Sequence, residues 1–179
     1  IEWTQEVGFS TFEQDLLAHK VDALCAGVWP KAIRSKAVDF TNPLFYIPFN
    51  IYVRKDDPRF DSNAQALNTP NITFSDMDGL VGQSIRKEDF PNSKVITLSD
   101  TQSPSELFLM VETKKTDAFI SDVFSAESYL KNNPGKLRAL EIGRPIRYFG
   151  NTIGVAKGEQ KLVNMINTAL EEAQSAGVI

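Results

Sequence analysis

The spacing of hydrophobic positions along the chain predicts helices and strands that alternate. Apolar residues recur three or four positions apart, as on one face of a helix, over 10–18, 103–113, 123–131 and 159–175. Short runs rich in β-branched and aromatic residues predict strands over 21–26, 49–54, 71–76, 117–121 and 152–156. Helices alternating with strands indicate the α/β class.

Two nine-residue segments repeat one pattern. "HKVDALCAG" (19–27) and "KKTDAFISD" (114–122) each follow a predicted helix, carry Lys-x-Asp-Ala and continue as an apolar strand. The second segment ends in Asp122, a carboxylate at the end of a core strand, where burial is costly unless the charge finds a partner. Two such units predict two lobes, each with its own sheet.

Two extended segments connect the predicted lobes. "DFTNPLFYIPFNIYVRK" (39–55) contains Pro43 and Pro48, which block a helix, among residues that favour extension. "RPIRYFGNTIGVAKGE" (144–159) contains Gly150 and Gly154, which we expect to act as flexible points on the return crossing. Two crossings predict a hinge, and a hinge predicts a ligand-binding cleft.

Composition restricts the function classes. The 179 residues are 42% hydrophobic and 23% charged, which is typical of a soluble globular protein. The formal charge of −4 and the lack of a basic stripe argue against a nucleic-acid partner. Apolar runs such as "VDALCAGVW" are too short to cross a bilayer, and no signal peptide opens the chain.

The chain offers little chemistry for a metal or a cofactor. One cysteine, Cys25, provides neither an internal disulfide nor a zinc site, and its apolar surroundings predict a buried side chain. His19 lies at a predicted helix end without a serine or cysteine nucleophile pattern, so we expect a solvated cap there. We therefore expect no catalytic residue, no metal and no cofactor.

One long segment resembles a known family. "KVDALCAGVWPKAIRSKAVDFTNPLFY" is similar to the signature of the type 2 periplasmic solute-binding proteins, in the amino-acid-binding class known as bacterial extracellular solute-binding protein family 3. That signature has a lysine-x-Asp strand, small or hydroxylic residues, an arginine, and then Val-Asp-Phe-Ser/Thr-x-Pro. The resemblance extends over nearly the whole chain through "NITFSDMDG", "ETKKTDAFISD", "NTIGVAKGE" and "KLVNMINTALEEAQSAG".

The resemblance implies an α/β, two-lobe periplasmic binding protein type 2 fold. Lobe 1 is expected to comprise 1–49 and 150–179, and lobe 2 to comprise 50–149. Family members begin with a strand, a helix and another strand before the equivalent of "IEWTQEVGF", so lobe 1 is expected to be incomplete here. An incomplete lobe exposes apolar surface and a sheet edge, and self-association is one expected consequence.

The resemblance also implies two ligand-binding charges. Arg34 matches the arginine that holds the ligand α-carboxylate, and Asp122 matches the acid that receives the α-ammonium. A guanidinium presents a planar fork to a carboxylate, and a carboxylate accepts charge-assisted hydrogen bonds from an ammonium. Two structural alternatives are open: Arg34 covers the end of its own strand, and Asp122 caps the helix that begins near Val123.

The remaining expected ligand contacts are less polar than the family pattern. Small or bulky residues replace the hydroxylic ones before the arginine, so backbone N–H groups at Gly27, Leu80 and Val81 are the expected anion donors. Trp29 either stacks on the ligand or fills space in the core. A more apolar pocket than that of a generic polar amino acid is expected.

The function implied is that of an extracytoplasmic solute receptor. Its expected partners are a small amino-acid-like ligand and the permease of an ABC importer, and its expected location is the periplasm or, as a lipoprotein, the outer face of the membrane. A ligand-sensing domain of a membrane signalling protein is one alternative. A periplasmic dehydratase-like enzyme is another, but it needs a general acid in the cleft, and Asp122 alone is clearly placed for that role.

Overall fold

The computed structural model describes residues 2, 7–8, 10–60, 63–140 and 142–178. The described helices are α1 (Phe12–Leu17), α2 (Val81–Asp89), α3 (Ser105–Glu112), α4 (Val123–Asn132) and α5 (Gln160–Ser175). The described strands are β1 (Ala23–Val28), β2 (Val38–Phe40), β3 (Phe45–Arg54), β4 (Thr73–Met77), β5 (Lys94–Leu98), β6 (Ala118–Asp122), β7 (Leu137–Ala139) and β8 (Arg147–Ala156). Short 3-10 helices occupy Arg34–Lys36, Pro58–Phe60 and Ala64–Leu67.

The chain divides into two compact units. Unit 1 comprises Ile1–Ile47 and Phe149–Ile179, and unit 2 comprises Pro48–Tyr148. In unit 1, β1 and β2 each pair antiparallel with β8. Phe12 and Leu16, one helical turn apart on α1, pack with Val28, Val38 and Ala156 to form its core.

Unit 2 is a mixed sheet flanked by helices. Strand β6 lies between β3, to which it is antiparallel, and β4, to which it is parallel. Strand β5 is parallel to β4, and β7 is antiparallel to β3. Phe108 of α3 is central to the core, with its ring centroid 4.8 Å from those of Phe119 and Tyr129 and 5.8 Å from that of Tyr52.

The expectation of a separate sheet in each half is wrong. The described strands follow one hydrogen-bonded order, β1-β8-β3-β6-β4-β5, in which the two crossing strands are neighbours. Leu44 N–H donates to Asn151 O and Ile146 N–H donates to Phe49 O, each at 2.8 Å. Two extended segments each carry a row of backbone donors and acceptors, and pairing with each other satisfies both rows.

The repeated sequence segment is also repeated in backbone conformation. His19 and Lys114, at equivalent positions after α1 and α3, both have positive φ, 52° and 64°. Lys20 N–H donates to Asp15 O at 3.0 Å, and Lys115 N–H donates to Met110 O at 2.9 Å. Both helices therefore end in the left-handed turn that usually carries glycine at this position.

One further expectation is wrong, and another concerns residues outside the described part of the chain. Cys25 is exposed, not buried, because the face of β1 that carries its side chain is not covered by other described residues. The opening segment "IEWTQEVGF" (1–9), to which the expected incompleteness of lobe 1 refers, lies largely outside the described residues. Across the described part of the chain, none of the helices is both long and apolar enough to cross a membrane.

Candidate functional site

Arg34 is held inside unit 1 by backbone and aromatic contacts. It opens the 3-10 helix Arg34–Lys36 and is only 9% exposed. Its Nη1 donates to the carbonyl oxygen of Trp29 at 3.3 Å, and its guanidinium carbon lies 5.2 Å from the centroid of the Phe12 ring. These contacts fix the position of the side chain.

A carboxylate also reaches Arg34. Glu13 Oε1, on α1, lies 3.4 Å from Arg34 Nε. Burial lowers the pKa of the Arg34 guanidinium, and the negative charge of Glu13 opposes part of that effect. Arginine starts from a pKa high enough that the group stays cationic at neutral pH.

Gly27 lies near the end of β1, and Trp29 directly follows that strand. Gly27 has φ +78°, and a Cβ built there would lie 2.6 Å from Asn151 Nδ2. The positive φ therefore favours glycine, and a larger residue would also have to displace the Asn151 side chain. The pairing of β1 with β8 is irregular between Leu24 and Val28, as expected for a bulge. Trp29 contacts Phe149, with ring centroids 6.2 Å apart.

Asp122 is the N-cap of α4. Its backbone is extended, and its Oδ1 accepts a hydrogen bond from Ser125 N–H at 2.8 Å. The capping alternative is therefore confirmed, and ligand binding by the same carboxylate stays a prediction. The two roles are compatible, since a carboxylate has acceptor capacity beyond one hydrogen bond.

Leu80 and Val81 lie where α2 begins. Leu80 is the residue before the helix, and its N–H donates to Met77 O at 3.2 Å. A ligand contact from the Leu80 N–H would have to compete with this turn hydrogen bond. A Cβ built at Gly82 would lie 2.9 Å from Ile120 O, so the first turn of α2 packs against β6 two residues before Asp122.

Asp76 and Arg86 lie beside a narrow gap under the same helix. The gap is lined by Phe74, Ser75, Asp76, Gly82, Arg86 and Ile120. Asp76 Oδ1 accepts from Met77 N–H at 2.9 Å, whereas Asp76 Oδ2 and Arg86 Nε are buried without a hydrogen-bond partner among the described residues. Burial raises the pKa of Asp76 to about 7, although its own backbone hydrogen bond and Arg86 act in the opposite direction.

The structure therefore places the six predicted residues in two groups. Gly27, Trp29 and Arg34 belong to unit 1, and Leu80, Val81 and Asp122 belong to unit 2. Sequence reasoning did not select Glu13 or Asp76. In the sequence, each of these residues is a charged residue next to apolar positions. This pattern does not show which charged side chains other residues will bury.

The whole chain matches one protein family. Residues 1–179 match the sequence profile of the bacterial extracellular solute-binding proteins, family 3. The chain belongs to this family. Its resemblance to amino-acid-binding members, inferred above from short motifs, is confirmed.

Two curated relatives show what is known of similar proteins. ABC transporter arginine-binding protein 1 of Escherichia coli (strain K12) is 24% identical, over 94% of this chain and 67% of its own length. The probable histidine-binding protein of Campylobacter jejuni (serotype O:2, strain ATCC 700819) is 25% identical, over 99% of this chain and 66% of its own length. The chain thus spans about two thirds of the length of these relatives.

Solved structures establish the fold. An ancestral arginine-binding protein bound to arginine superposes with a TM-score of 0.81 at 27% sequence identity. The match covers 97% of this chain and 74% of that one. This member of family 3 has the type 2 periplasmic binding protein fold, as predicted from the sequence.

Proposed function

We propose that the chain is an extracytoplasmic solute receptor of an ABC importer and binds a small amino acid or a related zwitterion. The observation that supports this most strongly is the family match over residues 1–179. The names of the relatives give arginine and, for one probable binding protein, histidine as ligands, and both amino acids carry an α-carboxylate and an α-ammonium.

The proposed ligand contacts are divided between the predicted lobes. Arg34, in lobe 1 (1–49 and 150–179), receives the α-carboxylate, and Asp122, in lobe 2 (50–149), receives the α-ammonium. A ligand that contacts one charge of each lobe stabilises the closed arrangement, because only that arrangement makes both contacts. Support for the Arg34 role comes from its contacts with Trp29 and Phe12, which hold the guanidinium in place before any ligand arrives.

The remaining predicted residues complete this site. The N–H groups of Gly27 and Val81 are proposed to donate to the ligand, Leu80 contributes if its turn hydrogen bond is released, and Trp29 packs against apolar parts of the ligand. Binding without catalysis is the proposed activity. The proposed partner is the importer's permease, and the proposed location is the periplasm or, if the protein is a lipoprotein, the extracytoplasmic face of the membrane.

Two substitutions test the paired charges. In the full-length protein that contains residues 1–179, Arg34→Ala and Asp122→Asn should each weaken amino-acid binding by about 2–5 kcal/mol, the usual effect of removing one partner from a desolvated charge pair. Asparagine is also a good N-cap, so Asp122→Asn should leave the free energy of unfolding nearly unchanged. Isothermal titration with L-arginine and L-histidine, together with urea unfolding, measures both quantities.

The two variants test different parts of the proposal. Unchanged affinity in Asp122→Asn would leave Asp122 with its capping role alone. Unchanged affinity in Arg34→Ala would remove the amino-acid proposal altogether.

A further inference from the structure

The contact between Glu13 and Arg34 places a carboxylate of the protein at the group proposed to receive the carboxylate of the ligand. Glu13 lies on α1, directly after Phe12, whose ring packs against the same guanidinium. The face of the Arg34 guanidinium thus contacts Phe12, and its Nε contacts Glu13, the next residue of the same helix. The contact lies entirely within unit 1.

Of the two side chains in this ion pair, Glu13 is held less firmly than Arg34. Its Oε1 is 3.4 Å from Arg34 Nε, longer than the 2.7–2.9 Å typical of a charge-assisted hydrogen bond. The Glu13 side chain is 39% exposed, so it can turn into solvent, whereas Arg34 is fixed by Trp29 O and Phe12. A carboxylate that binds the guanidinium through two hydrogen bonds would make a stronger contact than Glu13 does.

We propose that Glu13 is an internal competitor that occupies Arg34 until the ligand carboxylate replaces it. This inference rests on the function proposed above. Two carboxylates beside one guanidinium repel each other, so ligand binding requires Glu13 to turn away. Glu13 therefore lowers the affinity for the ligand. Because it competes with the α-carboxylate, which every amino acid carries, the effect does not depend on the ligand side chain.

The test is Glu13→Gln in the full-length protein that contains this chain. Glutamine keeps the shape of the side chain but removes the charge, so it competes less for Arg34 and does not repel the ligand. Titration with L-arginine, L-histidine and L-glutamine should give a Kd about two- to fivefold lower than that of the wild type, the range expected for a partly exposed ion pair. The factor should be similar for all three ligands, because they share the α-carboxylate.

Asp15→Asn is the matched control. Asp15 lies on the same helix, and its carboxylate pairs with Lys20 at 2.8 Å. Removing this charge should leave Kd unchanged.

Each other result would overturn the inference. Equal or weaker binding by Glu13→Gln, with the wild type binding normally, would mean that Glu13 positions Arg34. An equal gain in Asp15→Asn would indicate a general effect of net charge. Absence of binding by both wild type and Glu13→Gln would overturn the proposed function and this inference together.

Discussion

At the scale of single residues, Asp76 links folding to pH. The residue is 2% exposed, one of its carboxylate oxygens has no partner among the described residues, and burial raises its pKa to about 7. An aspartate in an unfolded chain titrates near pH 4. Between these values the folded state holds a proton that the unfolded state has lost, so stability is full below about pH 4 and falls as pH rises towards 7.

We predict that Asp76→Asn removes most of the loss of folding stability between pH 4 and pH 7. The wild type should lose up to about 4 kcal/mol of unfolding free energy between pH 4 and pH 8, from a pKa shift of roughly three units. The variant should lose much less, because an amide does not titrate. Urea unfolding at pH 5, 6, 7 and 8 measures the slope, with Asp56→Asn as an exposed control in the same unit. Parallel slopes for wild type and Asp76→Asn would contradict the assignment.

The residues singled out from the sequence and those found only in the structure differ in a physical way. Arg34 and Asp122 could be selected because a motif fixes their position and their chemistry suits a zwitterion. Glu13 and Asp76 could not, because the consequence of a charge depends on what covers it. The capping role of Asp122 was predictable, since it requires only the next three residues.

At the scale of secondary-structure elements, four charges join the ends of strands and a helix in unit 2. Arg54, at the end of β3, donates to the carbonyl oxygens of Val111 and Thr116 at 3.1 and 2.8 Å. The same guanidinium contacts Asp57 at 2.8 Å and Asp117 at 3.3 Å. Arg59 binds both aspartates from the solvent side, at 2.6 Å each. The Asp117 of the repeated segment thus serves this network, where it also accepts from Thr73 N–H at 3.0 Å.

The two arginines provide a matched pair for experiment. Their side chains bind the same carboxylates but are 10% and 46% exposed. We predict that Arg54→Ala destabilises the fold by about 3–5 kcal/mol, because it leaves buried carbonyls and carboxylates unpaired. Arg59→Ala should cost about 1 kcal/mol, since water can replace an exposed partner. Equal losses in urea unfolding would show that burial does not decide the contribution.

The left-handed turn after α3 gives a second prediction at this scale. Lys114 has φ 64°, a conformation that is costly for any residue with a Cβ. Lys114→Gly should therefore raise the unfolding free energy by about 0.5–1 kcal/mol. Lys115→Gly, the adjacent control outside the left-handed region, should give no gain. A loss of stability in Lys114→Gly would mean that the lysine side chain contributes more than its backbone strain removes.

Elements with a strong periodic pattern were predictable, and those without one were not. The four predicted helices correspond to α1, α3, α4 and α5, each with ends within two residues of the prediction. Residue patterning alone did not give α2, which has only two large apolar residues, Val81 and Ile85, among polar ones. Strands β2 and β7, of three residues each, are too short for a period to appear, and β5 is exposed along most of its length. The pairing of β3 with β8 could not be predicted, because it depends on a return segment about 100 residues away.

At the scale of the whole molecule, strand β1 forms an open edge of the sheet in unit 1. Among the described strands, β1 bonds only to β8, and Cys25 and Ala26 in its middle are exposed. An exposed strand edge without charged side chains favours pairing with another strand. A second copy of the chain offers the same edge, which can pair with itself around a twofold axis.

We predict that the 179-residue chain forms dimers through β1. Antiparallel pairing centred near Cys25 would bring the two sulfur atoms within reach, since opposed Cα atoms lie about 4.5–5.5 Å apart and a disulfide spans that distance. Sedimentation should show a concentration-dependent dimer, and mild oxidation should link it covalently in the wild type but not in Cys25→Ser. Ala26→Lys should weaken the dimer by placing a charge on the edge, whereas Ser175→Lys, at the exposed end of α5, should not. A monomer at high concentration, or a dimer that Ala26→Lys leaves unchanged, would show that β1 is not the interface.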